Sequence, residues 1–88
     1  MDEATVRNSI ARNPALADEI PADAMISDVH AIDLEEAVRL STEYPRSFKR
    51  YKGQPLHAAT ISYQDPVTGY WRYRVMILGK NGKIILLT

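Results

Sequence analysis

Cysteine is absent from the 88 residues of this chain. Disulfides, thiolate zinc sites and cysteine nucleophiles are therefore excluded. A secreted domain this small ordinarily needs disulfide staples, so a reducing, cytoplasmic setting is expected. Long apolar runs are also missing. The longest, Val75 to Leu78 and Ile84 to Leu87, are far too short to span a bilayer, and no membrane partner is expected. The amino terminus, Met1-Asp2-Glu3-Ala4-Thr5-Val6-Arg7, is acidic with no apolar stretch behind it and does not read as a signal peptide. Glycine is scarce. Gly53, Gly69, Gly79 and Gly82 fall at expected turns, and none makes a phosphate-cradling loop ahead of a helix. Histidine is limited to His30 and His57, neither with a second ligand type at metal spacing, so neither a metal nor another cofactor is expected.

What remains is an ordinary soluble composition, 45% hydrophobic and 25% charged. A chain this long makes one small domain, residues 1–88, and buries somewhat over ~60% of the surface its unfolded form exposes. Its charge is divided along the sequence. Residues 1–44 hold ten carboxylates against Arg7, Arg12 and Arg39, a net of −7, whereas residues 45–88 hold eight basic residues against Asp65 alone, a net of +7. The formal net charge of zero hides this split. Such a chain either satisfies itself on folding or presents two faces of opposite sign.

Residues 1–32 read as short helical pieces cut by proline. Val6 and Ile10 are spaced for one helix face beginning near Asp2. Asn13 is a good N-cap, with Pro14 at the first helical position and Leu16 and Ile20 four apart. Met25, Ile26, Val29 and Ile32 fit a helical turn better than an alternating strand. The clearest helix is expected from Asp33 to Tyr44, with Asp33 and Glu36 at capping-box spacing and Pro45 as its stop. A basic loop over residues 45–55 follows, after which the period becomes two. Strands are expected over about residues 56–63, 70–78 and 83–88, joined by the turns Asp65-Pro66-Val67-Thr68-Gly69 and Asn81-Gly82. The fold class is thus α+β: short amino-terminal helices plus one capped helix on a three-stranded antiparallel meander, in two layers. The capped helix should cover Trp71, Tyr73, Val75 and Ile77, with Tyr70, Arg72, Arg74 and Met76 on the other face. Ile84, Ile85, Leu86 and Leu87 put apolar groups on both faces of the last strand, which calls for cover by the amino-terminal helices or by a second copy of the chain.

No catalytic set emerges. Ser27, His30 and Asp33 include the residue types of a nucleophilic triad, but triads are defined by geometry and no nucleophile elbow is present. The basic features are more suggestive. Arg46, Lys49, Arg50 and Lys52 interleave with Phe48 and Tyr51, and Tyr70, Arg72 and Arg74 add cations and a ring on the sheet. Cations for phosphate and rings for stacking are what single-stranded nucleic-acid binders use.

Asp33-Leu34-Glu35-Glu36-Ala37-Val38 followed by a glycine-turned meander is loosely similar to a PepSY-type domain, a group usually exported. A helix followed by an antiparallel sheet with scattered arginines, over about residues 33–88, is loosely similar to RelE- or colicin-type ribonucleases, without their carboxyl-terminal catalytic segment. No residue role is carried over from either. The expectation is a non-enzymatic binding module acting by protein–protein contact or as a homodimer. The surfaces expected to act are the strand of Ile85 and Leu87 and an acidic helical surface able to steer a basic partner. The alternative is single-stranded RNA binding through Arg46, Lys49, Arg50, Tyr51, Lys52, Tyr70, Arg72 and Arg74. A weaker alternative is a metal-independent ribonuclease using His57 with nearby arginines and Tyr73.

Overall fold

The computed structural model describes residues 1–41 and 45–88, with backbone alone at 45–47. Helix α1 spans Glu3–Ala11. Its N-cap is Asp2, whose carboxylate accepts from the Thr5 N–H at 2.9 Å. Helix α2 spans Pro14–Glu19, with Asn13 as N-cap accepting from Leu16 N–H. Both starts are where the capping residues place them. The sheet has four strands in sequential antiparallel order, β1 (Met25–Ile32), β2 (Leu56–Gln64), β3 (Trp71–Leu78) and β4 (Ile84–Leu87). The α+β reading holds, with one strand more than expected.

That extra strand is the segment read as a helical turn. Met25 to Ser27 pair with Ser62 to Thr60, and His30 to Ile32 pair with Ala58 to Leu56. Between them the register shifts, and Asp28 takes φ +54°. This is a β-bulge, which inserts one extra residue into the strand. The inserted residue breaks the alternation and leaves Ile26, Val29 and Ile32 spaced by three, which mimics a helix.

Helix α3 spans Leu34–Leu40. Asp33 caps it by accepting from Glu36 N–H at 2.7 Å, as the capping-box spacing implies. It ends at Ser41, short of the expected Tyr44, because Ser41 takes extended angles while its N–H closes the last turn on Ala37. Tyr44 lies outside the described residues. The basic loop is partly ordered: Pro45–Tyr51 forms a 3₁₀ helix.

The sheet separates two apolar clusters. On one face α1 and α2 deliver Val6, Ile10 and Ile20 onto Ile26, Ala59, Ile61, Met76 and Leu78. On the other, α3 and the 3₁₀ helix deliver Ala37 and Phe48 onto Leu56 and Ile77. Helices therefore lie on both sides of the sheet, not in a single second layer. Strand β4 serves both clusters. Ile84 and Leu87 pack towards α1, and Ile85 and Leu86 towards α3. Its doubly apolar sequence is thus accounted for within one chain, by the amino-terminal helices on one face and α3 on the other.

The β3–β4 turn ties the sheet to α1. Its three residues, Lys80–Gly82, form a 3₁₀ turn closed by Gly79 N–H on the Lys83 carbonyl at 2.7 Å, and Asn81 and Gly82 both take positive φ. Ser9 Oγ lies 2.6 Å from the Gly82 carbonyl oxygen and 3.0 Å from that of Thr5. A Cβ on Gly82 would sit 2.6 Å from Ser9 Oγ and 3.1 Å from Thr5 Cγ2, whereas Gly53, also at positive φ, has nothing within 4 Å. Gly82→Ala should therefore destabilise by about 2 kcal/mol, the backbone strain plus the contact, and Gly53→Ala by only the strain, about 1 kcal/mol. Urea unfolding of the two variants checks this. Equal losses would show that α1 does not press on the turn.

Candidate interaction surface

The faces of β3 decide where the exposed rings go. Trp71, Tyr73, Val75 and Ile77 share the α3 side, and Arg72, Arg74, Met76 and Leu78 the α1 side. The expected cover of the first set by α3 is not realised beyond Ile77. A seven-residue helix is about 10 Å long, whereas an eight-residue strand runs about 26 Å. Helix α3 sits over the Leu56/Ile77 end and leaves the other end bare. There Trp71 is 56% exposed, Tyr73 74% and Met25 60%, whereas Tyr70, also exposed, lies opposite Asp65 on the other face with Arg72, as the alternation predicts. Register sets Met25, Ser62 and Tyr73 side by side, then Ser27, Thr60 and Val75, with Gln64 opposite Trp71. This half-face is apolar and hydroxylated, and no residue in it carries a formal charge.

Met25 is the member that sequence reasoning missed, because the bulge disguised its strand. The mismatch between a short helix and a long strand was the signal available for the rest.

The turn beside the patch is well tied. Asp65 accepts from Val67 and Thr68 N–H at 2.8 and 3.1 Å, and its other oxygen forms an ion pair with Arg72, 3.1 Å from Nε. The two backbone N–H groups, with Arg72 nearby, hold the Asp65 carboxyl below the usual range. Gly69, at φ +76°, lets the chain return to β3.

The expected cationic residues are dispersed. Arg72 pairs with Asp65. Arg74 lies on the α1 side, paired with Glu19 through Nη1, which also donates to Tyr63 Oη at 3.2 Å, while its Nε donates to the Thr88 carbonyl. Burial penalises the Arg74 charge, but the bonds to Tyr63 and Glu19 outweigh it and raise the pKa. Lys49, Arg50 and Lys52 are exposed on and after the 3₁₀ helix. The Arg46 side chain lies outside the described residues. Phe48 is core and offers no stacking surface, and Tyr51 is half-buried against it with ring centroids 6.5 Å apart. Ile85 and Leu87 are half-buried on edge strand β4.

The residue types that could do chemistry are not brought together. His30 Nδ1 donates to the Asp28 carbonyl at 2.7 Å, and among the described hydrogen bonds none links Ser27, His30 and Asp33. His57 lies on the α1 side, across the sheet from Tyr73, so the two cannot act on one substrate atom as the ribonuclease reading requires. Among the described residues no cluster of three or more histidines or carboxylates could hold a metal ion, and no helix is long and apolar enough to cross a membrane. No protein-family model, curated protein or solved structure matches the chain.

His57 yields a pH prediction. Its Nδ1 is buried with no hydrogen-bond partner among the described residues, and burial lowers its pKa from the ordinary 6.5. The unfolded chain then binds the proton more readily, so this contribution to stability is full above about pH 6.5 and is lost as pH falls towards the lowered folded value. Relative to His57→Leu, the unaltered chain should lose stability between pH 7.5 and 5.5, read as urea midpoints. A constant difference between the two would refute the lowered pKa of His57.

Proposed function

We propose that the chain is a small non-enzymatic binding module that works by protein–protein contact through the bare half of its sheet. One observation carries this. Trp71, Tyr73 and Met25 are exposed on the sheet, and no helix among the described residues covers them. Isolated exposed apolar residues are ordinary, but a contiguous patch of aromatic residues is typical of contact surfaces. Rings on a sheet lose little conformational freedom on binding, which favours them as anchors.

Residues kept for contact contribute little to folding. The double variant Trp71→Ser, Tyr73→Ser should keep the far-ultraviolet circular dichroism of the unaltered chain, with stability within about 0.5 kcal/mol or higher. A loss beyond about 2 kcal/mol would mean that the rings serve the fold, and would end this reading.

Single-stranded RNA as partner is a second reading. It is favoured by Lys49, Arg50 and Lys52, which are exposed near Phe48 on the α3 side, the same side as the bare rings. Phosphate contact would make affinity fall steeply with salt. Fluorescence polarisation with labelled oligouridine at low salt should then report binding that Lys49→Ala, Arg50→Ala weakens. No binding at low salt removes the RNA reading and leaves the protein-contact one.

A further inference from the structure

We infer that the groove between the end of α1 and the β3–β4 turn is a site for a phosphate group, free or at the end of a small organic molecule. The groove lies at the opposite end of β3 from Trp71 and is lined from α1 and the turn. It is therefore separate from the bare half-sheet and does not rest on the binding-module reading.

The groove has a volume of about 320 Å³ and is lined by Ser9, Arg12, Asn13, Asn81, Lys83 and Ile84, with the backbone of Gly82. Among the described residues no carboxylate lines it. Four other arginines are matched by acids of the chain: Arg7 by Glu3, Arg39 by Glu36, Arg72 by Asp65 and Arg74 by Glu19. Among the described residues Arg12 and Lys83 have no such partner. The fold brings these two cations, 71 positions apart in sequence, to one concave place without a counter-charge. An anion bound there relieves their mutual repulsion.

The number of charges selects the anion. A phosphate monoester carries close to two negative charges at pH 7, which match one guanidinium and one ammonium. A carboxylate would leave one of the cations uncompensated. The hydrogen-bonding groups agree. Arg12 offers a planar fork of N–H donors and Lys83 three more. The Asn13 side-chain oxygen is taken by Leu16 N–H at 3.4 Å, which leaves its NH₂ group to donate. The Asn81 side chain adds a second amide. Ser9 is part of the frame, because its hydroxyl is already engaged with the Thr5 and Gly82 carbonyls.

The frame holds these donors in place. The turn is closed between Gly79 and Lys83 and pinned to α1 by Ser9, so the exits of Asn81 and Lys83 from the backbone are fixed. Carbonyl oxygens at a helix end repel anions. Here those of Asn8 and Ile10 are occupied by the N–H groups of Arg12 and Asn13 at 3.0 and 3.1 Å. A preset site lowers the ordering cost of binding. The cations remain exposed to water, so the affinity expected is about millimolar.

Inorganic phosphate and glycerol phosphate, each titrated to about 20 mM at constant ionic strength against chloride, test this on the isotope-labelled chain by amide NMR. The resonances of residues 9–13 and 81–84 should move together and saturate. Tighter binding of the ester assigns the organic phosphate as ligand, and equal binding assigns free phosphate. Arg12→Gln and Lys83→Gln, both at exposed positions, should each weaken binding about fivefold or more, whereas Lys83→Arg, which keeps the charge, should retain it. Three results would overturn the inference: no movement of these resonances; movement that chloride produces equally or that survives in the Arg12→Gln, Lys83→Gln double variant; or movement confined to residues 49–52.

Discussion

An α-helix advances about 1.5 Å per residue and a β-strand about 3.3 Å. A helix laid on a sheet must therefore hold roughly twice as many residues as the strands to cover them. Helix α3 has seven residues, and the central strands β2 and β3 have nine and eight. This mismatch organises the α3 side. The 3₁₀ helix with Phe48 extends the cover over Leu56 and Ile77, and nothing described reaches Trp71, Tyr73 or Met25. The opposite face has no such deficit, because α1, α2 and the segment to Ala24 together supply enough surface to bury it. One face is closed by the chain itself, and the other is closed at one end only.

Charge follows the same division. Acidic and basic halves of the chain meet chiefly on the closed side, where Glu19 of α2 reaches Arg74 of β3 over the hydroxyl of Tyr63. Other charges are used locally: Asp65 with Arg72 in the turn, Asp33 as a helix cap, and Glu36 with Arg39 along α3. The acidic segment before β1 does not lie against the basic 3₁₀ helix. Lys49, Arg50 and Lys52 remain solvent-facing at the covered end of the α3 side. Such exposed charges contribute little to stability, and they leave the aromatic half-face neutral.

Much of the fold was legible because its signals are short-range. Asp2, Asn13 and Asp33 cap helices through atoms three residues away, and Asn81-Gly82 and Asp65 to Gly69 set their turns through their own φ values and side chains. Strands β2 and β3 kept an unbroken period of two. Strand β1 was not legible. Its bulge at Asp28 is recognisable only against the partner strand, and without that partner the spacing of Ile26, Val29 and Ile32 favours a helix. The same loss concealed Met25 as a neighbour of Tyr73. Of the residues singled out as a surface, Arg72, Arg74, Phe48 and Tyr51 proved to be engaged by other parts of the chain, and that depends on contacts from Asp65 to Arg72 and from Glu19 to Arg74, up to 55 residues apart.

The sequence alone determined the class of molecule: one small α+β domain without cysteine, capped helices first and a glycine-turned meander last, with opposite charge in its two halves. These follow from composition and from interactions spanning a few residues. Only the tertiary structure decided that Met25–Ile32 is a strand, that helices lie on both faces, and that Trp71 and Tyr73 remain in solvent. Those outcomes depend on register and on the relative lengths of elements distant in sequence. Burial is a property of what packs against a residue, and a residue's own pattern does not contain it.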